Sequence, residues 1–214
     1  MSLTHKGILI AIEGIDGSGK STLTQQLAIV LDHDQYEVYL TKEPGDTSLG
    51  HNIRSLVQTQ MVPITPIAEY LLFAADRAQH FVEKIIPLLN ANKIIISDRL
   101  SDSSLAYQGY GRGLPLEQLK AINSWAMQGI IPDITIFVRI PVAIALQRVT
   151  KRNTSLSAFE KEVFLEKVAA GFELIYKNRS DVIIIDGTQP LAIMVNNAYD
   201  ALQKRIHYLK KTGV

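Results

Sequence analysis

The chain has 214 residues, is 47% hydrophobic and contains no cysteine. That suffices for one sizeable core, excludes disulfides, thiolate metal sites and a cysteine nucleophile, and suits a reducing, cytoplasmic setting. A formal net charge of +1 gives no molecule-wide attraction to nucleic acid, and no apolar run approaches the ~18 residues of a membrane span, so neither partner is expected.

In chain order the first predicted element is a strand, "ILIAIE" at 8–13. A glycine-rich turn follows, and then a helix over Ser21–Leu31 with Leu23, Leu27 and Leu31 four apart. "EVYLTKE" (37–43) predicts a second strand, with apolar helices at 48–60 and 65–89 after it. "KIIISD" (93–98) is the third strand and Leu116–Met127 the next helix. "ITIFVRI" (134–140), helices over Val142–Arg152 and Ala158–Tyr176, "VIIID" (182–186) and a helix over Leu191–Leu209 complete the series. The strands are short and almost continuously apolar, which suits burial on both faces. Alternation of strand and helix predicts an α/β, doubly wound parallel sheet flanked by helices. No repeat or linker divides the chain, so 1–214 is expected to be one domain. The most polar stretch, "RVTKRNTSLSAFEKE" at 148–162, is the expected lid.

The turn carries the chemistry. Gly14, Ile15, Asp16, Gly17, Ser18, Gly19, Lys20, Ser21 and Thr22 contain G-x-x-x-x-G-K-[ST] between a strand and a helix. Glycines let backbone N–H groups turn inward, and with the helix N-terminus they form an anion cradle. Lys20 adds a point charge at the outer phosphates, and the Ser21 hydroxyl suits Mg²⁺. ATP with Mg²⁺ is the expected ligand; the plain alternative is a glycine-rich turn with an N-capping serine. Asp98, ending "IIISD", is the candidate metal carboxylate, and Asp186 ends a similar strand. Arg99, directly after Asp98, distinguishes the first. With Arg54 and Arg77 it makes a second anion-ready set, expected at the carboxyl edge of the strands. No N-K-x-D base-reading motif of GTPases is present.

"EGIDGSGKST", "KEPGDTSLG", "LLFAADRAQH" and "DRLSDSSLAYQGYGRG" closely resemble the thymidylate (dTMP) kinases, in order and spacing, over essentially the whole chain. The resemblance implies a P-loop nucleoside-monophosphate-kinase fold with a five-stranded parallel sheet, a homodimer, and transfer of the ATP γ-phosphoryl group to dTMP. It implies that Arg99 and Arg54 hold the acceptor 5′-phosphate, that Arg77 donates to thymine O4, and that Phe73 stacks on the base. Ser104 and Gln108 resemble readers of the pyrimidine edge, and Tyr107 the residue against the sugar. Glu43 and Ser103 fall in the same substrate set. Asp16 matches an acid at the 3′-hydroxyl, and Arg148 an arginine lying against adenine. Plain readings stand beside these: Phe73 and Tyr107 as core, Arg77 as a solvated charge, Arg99 paired with Asp98.

Three positions depart from the family pattern. "REPGGT" reads Lys42-Glu43-Pro44-Gly45-Asp46-Thr47 here, so an aspartate stands where φ > 0 is often needed. "LDVP" reads "VRIP", with Arg139 in place of an aspartate. A transition-state arginine, which some members carry at the position of Gly17 and others in the lid, is missing from both places; Ser157 and Ala158 occupy the latter. The remaining lid cations are Lys151 and Arg152, and Arg152 is the expected catalytic group. Another nucleotide or deoxynucleoside kinase, or a non-catalytic ATP-binding switch, is the alternative activity.

Overall fold

In the computed structural model, which describes residues 7–59, 63–149 and 158–212, the five apolar runs form one parallel sheet. The strands are β1 (Ile8–Glu13), β2 (Val38–Lys42), β3 (Ile94–Asp98), β4 (Ile134–Arg139) and β5 (Val182–Asp186). Their spatial order is β2-β3-β1-β4-β5. β1 is central, and its even and odd residues divide the core by the period of two of a strand. Ile8, Ile10 and Ile12 pack against Leu23 and Leu27 of α1 (Lys20–His33) and Ala198 and Leu202 of α9 (Leu191–Thr212). Leu9 and Ala11 face Phe81, Ile85 and Leu89 on the other side. Each fully buried Ile or Leu among them contributes about 1.5–3 kcal/mol. Among the described residues no helix is long and apolar enough to cross a membrane.

Register lines up the strand ends. Ile12 and Lys42 both pair with Asp98, and Arg139 pairs with Asp186. Chain order reverses about β1, since β3 lies on one side and β4 on the other. That switch point opens the crevice in which such sheets bind ligands.

Two helices differ from the sequence expectation. The stretch 65–89 is α3 (Pro66–His80), a π-helical turn (Phe81–Ile85) and α4 (Ile86–Asn90), in which the Ile86 N–H reaches five residues back to Phe81 O. Pro87 explains the widening: it lacks an N–H, and its ring would strike the carbonyl of Glu83 in a regular α-helix. The second is the "DSSLAYQGYG" segment. It folds as α5 (Ser101–Ser104) running into a π-helix (Leu105–Gly111), so Ser103, Ser104, Tyr107 and Gln108 ride one helical element. The other helices are α2 (Ser48–Thr59), α6 (Leu116–Ala126), α7 (Val142–Val149) and α8 (Ala158–Tyr176).

Candidate active site

The turn after β1 has left-handed backbone at Gly14, Gly17 and Gly19. Gly17 is doubly constrained, because a Cβ there would lie 2.4 Å from the carbonyl oxygen of Ala145 on α7. In this chain a side chain at this position would have to displace that carbonyl. Lys20 is 5% exposed and donates to Ile15 O at 2.8 Å. Burial and the neighbouring Arg99 push its ammonium down to about 8. A polyphosphate lying in the turn would raise it again.

Ser21 Oγ donates to Asp98 Oδ2 at 2.5 Å. The other oxygen, Asp98 Oδ1, is buried and has no hydrogen-bond partner among the described residues. A hydroxyl and a carboxylate with a spare lone pair suit the one or two protein ligands that Mg²⁺ takes in phosphate sites. Asp186, by contrast, is exposed and committed to its own turn, accepting from Thr188 and Gln189.

Arg99 connects the two halves of the site. Its backbone is left-handed, φ 76°, an uncommon conformation for this residue type. Three hydrogen bonds hold the turn: Arg99 N donates to Ile12 O, Ser97 Oγ to Arg99 O, and Leu100 N to Glu13 Oε1. The guanidinium then reaches Asp16 Oδ1 at 2.6 Å, Ser103 Oγ at 2.9 Å and Tyr107 Oη at 3.2 Å, with Cζ 4.9 Å over the Tyr107 ring. The Tyr107 hydroxyl also accepts from Asp16 N. Arg99 therefore pairs with Asp16, across the crevice, rather than with Asp98.

Arg77 is 2% exposed, not a solvated helix charge. It donates to Glu43 Oε2 at 2.8 Å, to Asn123 Oδ1 at 2.7 Å and to Ser104 Oγ at 3.2 Å. Gln108 donates to Glu69 at 2.9 Å. Arg54 donates to Pro44 O and packs against Gly45. Arg148 reaches Gly17 O at 3.4 Å.

Two cavities follow from this arrangement. One, about 950 Å³, is lined by Gly17, Gly19, Lys20, Ser21, Thr22, Asp98, Arg54 and Arg148. The other, about 310 Å³, is lined by Phe73, Arg77, Ser103, Ser104, Tyr107 and Gln108. Asp16, Glu43 and Arg99 line both. The structure thus brings the expected donor-side and acceptor-side residues together, with Ile15 and Ser18 buried beneath the turn. Arg152 and Lys151 lie outside the described residues, as do Ser157 and the side chain of Ala158.

Two departures now have explanations. Asp46 does not occupy the left-handed region; Gly45 does, at φ 114°. The expectation that Asp46 tolerates a positive φ is corrected: the strained position is one residue earlier, so an aspartate costs no backbone strain. Arg139 lies over Phe137 and pairs with Glu173 of α8 at 2.6 Å, both half exposed. It ties β4 to α8 rather than to the phosphate cradle.

Sequence reasoning missed Glu13, Asn123, Glu69 and His80. Glu13 is fully buried and accepts from Leu100 N, Ser103 N and Ser103 Oγ. Burial, with Asp102 nearby, raises its carboxyl to about 7. A lone charge inside "ILIAIEG" was the available signal. Asn123 offered only its polarity on an otherwise apolar helix face.

Fold and site define a P-loop nucleotide phosphotransferase: an amide cradle with its lysine, joined to a second, arginine-lined pocket. The sequence model described as thymidylate kinase matches residues 12–198. The chain is 45% identical over 169 residues to a thymidylate kinase of Carboxydothermus hydrogenoformans, covering 78% of this chain and 83% of that one. It is 37% identical to a thymidylate kinase of Staphylococcus haemolyticus, over 94% and 98% of the two chains. The crystal structure of thymidylate kinase from Ehrlichia chaffeensis superposes with a TM-score of 0.75 at 32% identity, over 92% and 98% of the chains. The chain belongs to the thymidylate kinase family, phosphotransferases with ATP as donor.

Proposed function

We propose that this chain transfers the γ-phosphoryl group of ATP to dTMP, giving dTDP and ADP in the cytoplasm. The observation that carries the reading is that two cavities of unlike chemistry share Asp16, Glu43 and Arg99. In this reading the triphosphate lies on the amides of Gly14–Ser21 with Lys20 at its outer end, and Arg148 faces the adenine. The dTMP base lies in the smaller cavity, with Phe73 as its stacking face and Arg77, Ser104 and Gln108 as polar partners. Tyr107 and Asp16 border the sugar, and Arg99 and Arg54 receive the 5′-phosphate.

The chemistry needs no strong base. A phosphate monoester has a second pKa of about 6, so the acceptor is mostly ionised at neutral pH. One of its oxygens forms a bond to the γ-phosphorus while the bond to the β–γ bridging oxygen breaks, and that electron pair leaves with ADP. Ser21 and Asp98 would hold Mg²⁺, which would supply charge neutralisation on the triphosphate. Arg99 and Lys20 offset the repulsion between two anions, and positioning does most of the remainder. Since Gly17 carries no side chain, the last cation is assigned to Arg152, with Lys151 helping. Arg152→Ala should lower kcat by about 10³-fold or more, as for a group acting mainly in the transition state, with dTMP affinity little changed; unchanged turnover would remove it from the mechanism.

A homodimer is part of the same proposal. Leu49 and Leu56 of α2 and Ile67 and Leu71 of α3 are exposed apolar side chains on contacting helices, as a subunit interface would present. ADP release measured across dTMP, dUMP, CMP, AMP and thymidine tests the activity. Turnover with dTMP and none with thymidine is expected; release no faster with dTMP than without it overturns the reading.

A further inference from the structure

His80 lies on α3 beyond Arg77, 1% exposed, with a partner at each ring nitrogen. Nε2 is 2.6 Å from Thr41 Oγ1, and Nδ1 is 3.0 Å from Glu43 Oε1. Thr41 has one hydroxyl proton. It goes to Asp46 Oδ2 at 2.8 Å, an oxygen that also accepts from the Tyr39 hydroxyl at 3.1 Å. Toward His80 the Thr41 hydroxyl then offers only lone pairs, so Nε2 has to carry a proton. Glu43 faces Nδ1 from the other side. Its burial favours the neutral form, but the Arg77 guanidinium, which donates to its other oxygen at 2.8 Å, holds its carboxyl below the usual range. An ionised carboxylate only accepts, so Nδ1 has to carry a proton as well.

We propose that Asp46 is a positioning residue for the acceptor pocket: by taking the Thr41 proton it fixes His80 as a two-donor imidazolium, which together with Arg77 clamps Glu43 from both sides.

The cluster holds two cations, Arg77 and His80, against two carboxylates, Glu43 and Asp46. The further acid beside it is Asp76, raised to about 6 by burial and by Glu43, with one oxygen accepting from Gly45 N. A glycine at 46, as in the family pattern "REPGGT", would remove one carboxylate. Thr41 would then donate to Nε2, and a neutral imidazole would donate to Glu43 from Nδ1. The extra carboxylate and the extra proton therefore arrive together. Charge-assisted hydrogen bonds are about twice as strong as neutral ones, so Glu43 Oε1 is held more firmly in this chain. Its other oxygen anchors Arg77, whose remaining donors go to Asn123 and Ser104.

The test is ¹H–¹⁵N NMR of the His80 ring in the full, substrate-free chain at neutral pH, with the resonance assigned through His80→Gln. Both ring nitrogens should show the shifts of protonated imidazole nitrogen. In Asp46→Gly, Nε2 should move to the range of a bare nitrogen. Asp46→Ala provides the same reading without a second adjacent glycine, should Asp46→Gly disturb the loop. In either variant the KM for dTMP should rise about fivefold, the ordinary worth of one hydrogen bond, and by more than the KM for ATP, whose larger cavity Asp46 also lines. An unprotonated ring nitrogen in the unaltered chain, or an unchanged His80 spectrum in both variants, overturns the proposal. The KM arm rests on the dTMP reading given above and the NMR arm does not. Lack of dTMP turnover would therefore remove the activity and leave the proton assignment standing.

Discussion

The donor cradle and the acceptor pocket meet at Arg99 but are built in opposite ways. The cradle is mostly backbone: three left-handed glycines, a turn packed under Ala145, and one lysine. The acceptor pocket is mostly side chain: Arg77 on Glu43, Asn123 and Ser104, His80 on Glu43, and Arg99 on Asp16 and Ser103. Backbone amides carry partial charge without titrating and need only the right φ and ψ. Buried ion pairs must each be completed, since removing one partner strands the other. The first kind of site fails at its glycines and its lysine. The second fails through its network.

Lys20→Ala should break the comparison hardest. It removes the cation of the cradle, and kcat should fall by about 10³-fold, as with loss of a preorganised transition-state donor. Calorimetric titration with dTMP should still find the acceptor pocket intact. Arg77→Ala should do the reverse. It leaves Glu43 buried against His80 alone, a change that costs about 3 kcal/mol or more in comparable buried pairs. A lower urea midpoint and lost dTMP affinity are expected, with ATP affinity retained wherever the protein is folded.

A smaller effect sharpens the boundary between the regions. Glu13 ends the strand that leads into the cradle, yet its carboxylate serves the Arg99 turn through Leu100 and Ser103. In the unfolded chain it titrates near 4.5, and in the folded chain at about 7. Between those values the native state holds more of this proton than the unfolded state does. Ionisation of Glu13 thus lowers stability as pH rises through that window. Glu13→Gln removes the titration, so its unfolding free energy should fall less between pH 5 and 7.5 than that of the unaltered chain; parallel slopes in urea denaturation would contradict the assignment. The smallest effect belongs to Arg139. Its pair with Glu173 is half exposed on both sides, and Arg139→Ala should move stability by no more than about 1 kcal/mol, with kcat for dTMP unmoved.

The same contrast governs what could be read in advance. The cradle was legible because its requirements are local: glycines at fixed spacing, then Lys20 and Ser21, between a strand and a helix. The five strands were legible from continuous apolar runs, and the observed ends differ by a residue at most. The network around Arg77 was not legible as contacts. Asn123 lies 46 residues from Arg77, and Glu43 lies 34 away; no local pattern encodes that meeting. The protonation of His80 was further out of reach, since it follows from counting donors along Asp46, Thr41 and Glu43 once they are in place. Asp46 itself was misplaced because a departure from a glycine pair suggests strain, and the strained position turned out to be Gly45.

The π-turn at Phe81–Ile85 has a consequence for how this chain can change length. Before it, Phe73 and Arg77 aim α3 at the acceptor pocket; within it Phe81 and Ile85, and after it Leu89 of α4, face the sheet. The widened turn supplies the rotation that lets one unbroken rod grip two different things. Deleting a single residue from 82–84 would remove the slack that accommodates Pro87 and set its ring against a carbonyl of the preceding turn. In this stretch a lost codon would do more harm than most replaced ones.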